Sequence, residues 1–264
     1  MSVDVHLDDR GVLSLRLDRV EKRNAVDDQM MAAMIGALED AATHDDVRVV
    51  LLEGEGDHFC AGADWVARNT ATGERKPRAG SIQRRVPVQA HRLIPLLCSL
   101  QLPVVCKVRG WAAGLGFQLA LASDITIAAD DAQFVEPFVD RGFTPDSGAT
   151  WLLPRRVGEV RARELLLLGR ALTGVEAAEW GAIARAVPAP ELDDAVAEVV
   201  TRLAQGPTVA LGLTKWLLHE GANLPLGPHL ANEAFALELS SRSDDFREGL
   251  SAFREKRPPH FHGR

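Results

Sequence analysis

Two glycine-bearing turns carry the first legible chemistry in this sequence: Phe59-Cys60-Ala61-Gly62-Ala63-Asp64 and Gly110-Trp111-Ala112-Ala113-Gly114-Leu115-Gly116. Each follows a run that reads as a strand, over 47–52 and 104–108, and the second opens into a helix-like stretch. A strand ending in a glycine turn before a helix leaves backbone N–H groups without helical partners. Those groups, with the helix dipole, favour negative charge. If the two strands lie close in one sheet, one N–H from each turn can converge on a single oxygen. One donor of such an oxyanion hole is worth about 3–4 kcal/mol of transition-state stabilisation. The other reading is two tight turns that need glycine for a positive φ. Residue types alone leave both open.

Other site types fail on spacing. The glycines of 110–116 run G-x-x-x-G-x-G, and the third dinucleotide-fingerprint position is Leu119, so the Rossmann pattern is not met. There is no G-x-x-x-x-G-K-[ST] and no H-E-x-x-H. Ser147, in Thr144-Pro145-Asp146-Ser147-Gly148, lacks the first glycine of a nucleophile elbow. Cys60, Cys98 and Cys106 are odd in number and lack metal-ligand spacing, so neither a disulfide framework nor a metal site is expected and a reducing cytoplasmic compartment fits.

The positioning elements follow from periodicity. Residues 12–17 alternate apolar and polar as a half-buried strand does. Asp27 to Thr43 carries Met30, Met31, Met34, Ile35 and Leu38 at helical spacing. Strands at 47–52, 104–108 and 125–129, with a helix at 117–122, imply βαβ units and a largely parallel sheet. The polar stretch 68–86 reads as a surface loop. From about Glu191 the pattern is helical only, over 191–204, 208–219, 228–240 and 244–256. A core over 1–190 and a helical region over 191–264 are therefore expected, the latter with apolar faces that suit a neighbouring subunit.

A length of 264 residues fits one α/β unit with a helical appendage. Thirty Lys and Arg against 37 Asp and Glu give a net charge of −7, which argues against a nucleic-acid binder. The N-terminus has neither the basic nor the apolar part of a signal peptide. The longest uncharged runs, Leu93–Cys106 and Gly110–Ser123, are 14 residues each, against the roughly 18 that a membrane span needs.

The two turns resemble the signature loops of the enoyl-CoA hydratase/isomerase (crotonase) superfamily, and the resemblance runs along nearly the whole chain. Lys22-Arg23-Asn24-Ala25 is similar to the family's first CoA-contacting turn; Ala122-Ser123-Asp124-Ile125 and Ala132-Gln133-Phe134 match the segment after the second loop. Leu168 to Ala177 and Gly206 to Lys215 match later helices, and Phe253-Arg254-Glu255-Lys256-Arg257 resembles the F-x-x-K that reaches CoA of an adjacent subunit. The resemblance implies an α/β crotonase spiral of ββα turns with a helical C-terminal trimerisation region, assembled as a homotrimer or dimer of trimers. It implies an acyl-CoA thioester substrate, with no cofactor beyond the CoA that the substrate carries and no metal. Carried over, the oxyanion donors are the N–H groups of Ala63 and Leu115, and substrate contacts fall on Arg23, Ala25, Ala61, Gly62, Asp64, Gly114, Phe138, Phe253 and Lys256. A net negative chain can still pair with CoA phosphates if Lys22, Arg23, Lys256 and Arg257 gather at one rim.

The carboxylates bear on the reaction. Hydratases of this family place two glutamates around the double bond, and the corresponding positions here are Gln118 and Phe138. Asp146 remains, in a segment resembling the P-D-x-G of members that use this aspartate as acid/base or nucleophile. One carboxylate can shuttle a proton between the carbons of an enolate, which suits double-bond isomerisation better than hydration. Asp146 also reads as a helix N-cap. His91 lies 12 residues before Pro103, as a dehalogenase-type histidine does, and is a second catalytic candidate with Asp146. Glu136 and Asp140 are further candidates, and Cys60 reads as a small apolar filler. The rival functions are an acyl-CoA hydrolase or dehalogenase using His91 and Asp146, and a non-catalytic or RNA-binding member.

Overall fold

The computed structural model describes residues 2–64 and 79–264, and the secondary structure follows the burial pattern of the sequence. Strands β1 (Val3–Leu7), β2 (Val12–Leu17), β3 (Val49–Gly54), β4 (Val104–Val108), β6 (Ile125–Ala129) and β9 (Arg185–Val187) form a six-stranded sheet in the order β1-β2-β3-β4-β6-β9. Only the β1–β2 hairpin is antiparallel. The three-residue strands β5 (Trp111–Ala113) and β7 (Gln133–Val135) and the two-residue β8 (Leu172–Thr173) make a second, smaller sheet. A long strand, a short strand and a helix therefore recur as one turn of a spiral. The clearest turn is β4, β5 and α4 (Leu115–Ala122), with α2 (Ser81–Arg85) and α3 (Ala90–Ser99) preceding it.

The expected strands at 12–17, 104–108 and 125–129 are observed with those bounds, and the one expected at 47–52 is shifted to Val49–Gly54. The helix over 27–43 is α1 (Asp28–Ala41); Asp27 caps it, accepting from the N–H groups of Gln29 and Met30 at 3.0 and 2.9 Å. The expected loop over 68–86 needs correction where it is described: α2 begins at Ser81 and a 3-10 turn follows at Val86–Val88. Most of that loop, residues 68–78, lies outside the described residues.

Later come α5 (Ala149–Val157), α6 (Glu159–Leu168), α7 (Gly174–Glu179), α8 (Leu192–Ala204), α9 (Thr208–Gly221), α10 (Leu226–Ser240) and α11 (Asp244–Glu255). Helix α8 lies inside the expected C-terminal region yet packs on β3, β4 and β6. Leu192, Val196, Val200 and Ala204, one turn apart, are buried in the core. Asp193 of α8 meets Lys107 of β4, which also pairs with Glu53 of β3, so this face of the sheet carries an ionic seam at its rim.

Helix α9 is fastened by a buried amine. Lys215 donates to the carbonyls of Leu97 and Leu102 at 2.8 and 3.0 Å and pairs with Asp124 at 2.7 Å, while Asp124 accepts the Val104 N–H. Burial pulls the Lys215 amine down and pushes the Asp124 carboxyl up, each opposed by the other's charge. The knot ties α9 to the C-terminal end of α3 and the starts of β4 and β6. Removing one partner of a buried ion pair costs roughly 3–5 kcal/mol, and the partial exposure of Asp124 places this one at the lower end. Lys215→Met is thus expected to lose about 3 kcal/mol of stability, read from the urea midpoint at unchanged slope.

Candidate active site

The short sheet brings the two glycine turns together. Cys60 forms a parallel bridge with Ala112: the Cys60 N–H donates to Trp111 O at 2.9 Å and the Ala113 N–H donates to Cys60 O at 2.9 Å. Ala63 bridges to Val26 on the other side, where the Val26 N–H donates to Gly62 O at 2.8 Å and the Asp64 N–H to Val26 O at 2.9 Å. In that register the N–H of Ala63 itself points away from Val26. Leu115 is the first residue of α4, where a helical N–H has no partner. Among the described residues neither the Ala63 nor the Leu115 N–H donates to any acceptor.

Two glycines permit this approach. Gly62 has φ +99°, and a Cβ there would stand 2.8 Å from Ala113 O and 3.8 Å from Leu115 N. Gly116 lies so close that a Cβ would meet Cys60 O at 2.5 Å. Glycine is required at 62 for both φ and space, and at 116 for space alone.

The first turn is held by its surroundings. Arg23 and Asn24 both adopt left-handed backbone, with φ 50° and 57°. Arg23 O accepts the Ala61 N–H at 2.9 Å, while the buried Asn24 side chain donates to Glu55 O and His58 O at 2.9 and 2.7 Å and accepts the Arg19 N–H at 2.8 Å. Arg19 in turn donates to Ala25 O at 3.0 Å and pairs with the buried Asp64 carboxylate at 2.8 Å. Arg19 and Asn24 are structural supports of this turn that the sequence did not single out, Asn24 entering only as part of Lys22-Arg23-Asn24-Ala25. The one available signal was Asn24 itself, a residue tolerant of left-handed backbone. The Arg23 side chain and Lys22 are exposed.

Gly114 (φ +51°) donates its N–H to Val135 O at 2.9 Å, and the ring of the buried Phe138 stands 3.9 Å from where a Gly114 Cβ would be. Phe138 meets Phe143 edge-on at 5.5 Å. Gln118, one turn into α4, donates its amide to both oxygens of Glu136 at 2.9 and 2.8 Å, and both side chains are fully buried. Burial drives the Glu136 carboxyl well above the ordinary range; the Gln118 hydrogen bond opposes this and the nearby Asp146 charge adds to it. Asp146 is half-buried and accepts from Ser147 Oγ at 2.9 Å. Ser147 has φ 52°, a strained value for a residue with a side chain.

The N-cap reading of Asp146 is corrected: Gly148 is the N-cap of α5 and no side chain caps it. Asp140 is exposed and turned to the Gly169 corner, where a Cβ on Gly169 would meet its Oδ2 at 3.0 Å. His91, on α3, lines a cavity of about 400 Å³ with Ile94, Ser147, Gly148, Trp151 and His219. Burial pushes the Cys60 thiol up to about 12, as befits a filler rather than a nucleophile. Phe253 and Lys256 stand exposed at the end of α11, while the tail beyond them packs on Arg48. Among the described residues no group of His, Cys, Asp or Glu is placed to hold a metal, and no helix is long and apolar enough to cross a membrane.

Against known proteins, residues 8–264 match the enoyl-CoA hydratase/isomerase family model. The chain belongs to the enoyl-CoA hydratase/isomerase family. It is an enzyme of the crotonase superfamily and an acyl-CoA enzyme by membership. It is 40% identical over 257 residues to 1,2-epoxyphenylacetyl-CoA isomerase of Escherichia coli, covering 97% of each chain. It is 37% identical to a probable enoyl-CoA hydratase of Rhodobacter capsulatus, covering 96% of this chain and 95% of that one. Among solved structures, a putative enoyl-CoA hydratase/isomerase from Mycobacterium abscessus superposes with a TM-score of 0.90 at 32% identity, covering 99% of this chain and 100% of the other.

The contact between the turns gives a mutational expectation. Gly116→Ala places a methyl against Cys60 O and must spread the turns, at the roughly 1–3 kcal/mol typical of overpacking. Its expected outcome is a folded chain of lowered Tm whose turnover falls by at least about tenfold, as removal of one aligned donor would predict. Calorimetry and initial rates on one acyl-CoA ester check both.

Proposed function

We propose that this family member stabilises a thioester enolate between the N–H groups of Ala63 and Leu115 and moves a proton with Asp146, isomerising an enoyl-CoA double bond. The observation that carries the reading is the convergence of the two turns, with Leu115 N 3.8 Å from the Cβ direction of Gly62 and neither N–H engaged elsewhere among the described residues. Asp146 takes a proton from one carbon of the acyl chain, the electron pair passes to the thioester oxygen, and the two N–H groups hold the resulting charge. The protonated Asp146 then returns its proton at the carbon two bonds away, so that double bond and proton exchange places. Hydration needs a second carboxylate to activate water, and that place is taken by the apolar Phe138, with Glu136 bound to Gln118.

The CoA portion is assigned to Arg23, Ala25, Ala61, Gly62, Asp64 and Gly114 within the chain, with Phe138 at the acyl end. Phe253 and Lys256 belong to the site of an adjacent subunit. The exposed Leu226, Leu230, Phe235, Leu237 and Phe253 on α10 and α11 support assembly as a homotrimer or dimer of trimers. The substrate's CoA is the one cofactor-like group in this reading, and the compartment is the cytoplasm.

His91 on the cavity beside Ser147 favours a second reading, an acyl-CoA hydrolase or dehalogenase in which imidazole activates water. A panel of crotonyl-, 3-enoyl- and aryl-CoA esters separates the two. Product of unchanged mass is the isomerase result, a gain of one water is hydration, and free thiol is hydrolysis. Asp146→Asn is expected to lower kcat by at least about 100-fold, as loss of a general acid/base does, while acyl-CoA still binds. Unchanged kcat in that variant overturns the proposal.

A further inference from the structure

The chain turns back where α11 ends. Lys256 has left-handed backbone, with φ 54°, and the residues after it meet α11 at successively earlier positions. The Arg257 N–H donates to Ala252 O at 3.1 Å and the His260 N–H to Glu248 Oε1 at 2.8 Å. The N–H groups of His262 and Gly263 then donate to the two oxygens of Asp245 at 2.7 and 2.8 Å, and the Asp245 N–H donates to Arg264 O at 3.0 Å. Asp245 is 2% exposed, a carboxylate buried with the tail as its hydrogen-bonding partner. Glu248 takes Arg257 in a two-pronged pair at 2.6 and 2.9 Å, the stronger form of such a contact.

The other side of the tail lies on the body of the chain. Arg48 donates to Gly206 O at 2.6 Å and reaches Phe261 O at 3.5 Å. Gly263 has φ +79°, and a Cβ there would stand 2.8 Å from Thr208 Oγ1, at the start of α9, and 3.3 Å from Arg48 Cζ. The tail is therefore a strap between α11 and the body. Lys256 sits at the point of reversal, exposed, with the helix on one side and the fastened tail on the other. A residue with a side chain keeps left-handed backbone only where its surroundings fix it, and here the bonds of Ala252, Glu248 and Asp245 do so.

The geometry points to Asp245 and Glu248 as positioning residues for the CoA site: by holding the returning tail they fix the turn that carries Lys256, and with it the cation offered to the CoA phosphates in an adjacent subunit's site. The inference rests on the assignment of Lys256 to that site and adds what holds it there. A lysine on a frayed helix end would have to be ordered on binding, at a cost in affinity; the strap orders its backbone beforehand.

Initial rates of the full chain are measured on 3-hexenoyl-CoA and on 3-hexenoyl-pantetheine, which has the same acyl group and thioester but no phosphates. Asp245→Ala should raise KM for the CoA ester about tenfold, the worth of one hydrogen bond to a charged group, with kcat and the KM for the pantetheine ester unchanged. Lys256→Ala should show the same split. The double variant should be no worse than Lys256→Ala, because both changes act through one side chain. A folded Asp245→Ala with native KM for the CoA ester overturns the positioning role, as do losses that fall equally on both esters or that add in the double variant. Lys256→Ala without the split refutes the assignment of Lys256 itself, so the two failures are told apart. If Asp245→Ala does not fold, Glu248→Ala decides the question by the same readings.

Discussion

The close approach of two backbone turns is the constraint on which the rest depends. Gly116 sits where any side chain would strike Cys60 O, and Gly62 where any side chain would strike Ala113 O. Those contacts are possible because Cys60 pairs with Ala112 in the short sheet, and the short sheet exists because each spiral turn doubles back after its long strand. In the proposed reading the alignment of the Ala63 and Leu115 N–H groups depends on this approach, and a shift of an ångström would lose orders of magnitude of rate. The supports on the first turn are accordingly polar and buried: Asn24 is 1% exposed, and Arg19 reaches Asp64, 45 residues away in sequence. The second turn is held differently, by burial of α4 on all sides.

Charge in the site follows the opposite logic from charge on the surface. The chain is net negative, and the carboxyls around the paired turns differ in their surroundings: Asp64 is buried and paired with Arg19, Glu136 is fully buried against the Gln118 amide, and Asp146 is half-buried. Burial pushes the Glu136 carboxyl up, and the Gln118 amide that faces both of its oxygens opposes that push. The half-buried Asp146 accepts from Ser147 Oγ at 2.9 Å, on a turn where Ser147 has a strained positive φ.

Much of the scaffold was legible because period-2 and period-3.6 patterns report burial directly. Strands 12–17, 104–108 and 125–129 and helix α1 fell where alternation and the Met30, Met31, Met34, Leu38 spacing placed them. The strands that matter most were not legible. Trp111–Ala113 and Gln133–Val135 are three residues each, too short for any period to show, and they pair through backbone groups that sequence does not encode. The carboxylate question divides the same way. The departure at Gln118 and Phe138 was plain from residue type, but that Gln118 grips Glu136, 18 residues on, is a tertiary fact. The capping role assigned to Asp146 failed because Gly148, two residues later, takes the left-handed conformation at which α5 begins.

The central claim is that the two turns polarise a thioester carbonyl. Its most direct test is the vibrational frequency of that carbonyl in a saturated acyl-CoA, such as butanoyl-CoA, bound to the enzyme and isotope-labelled at the carbonyl carbon. Two hydrogen bonds from preorganised donors should lower the stretch of the bound ester below that of the free ester in water, and the variant with spread turns should return it towards the free value. A fully bound ester whose carbonyl stretch matches that of the free ester would contradict the account.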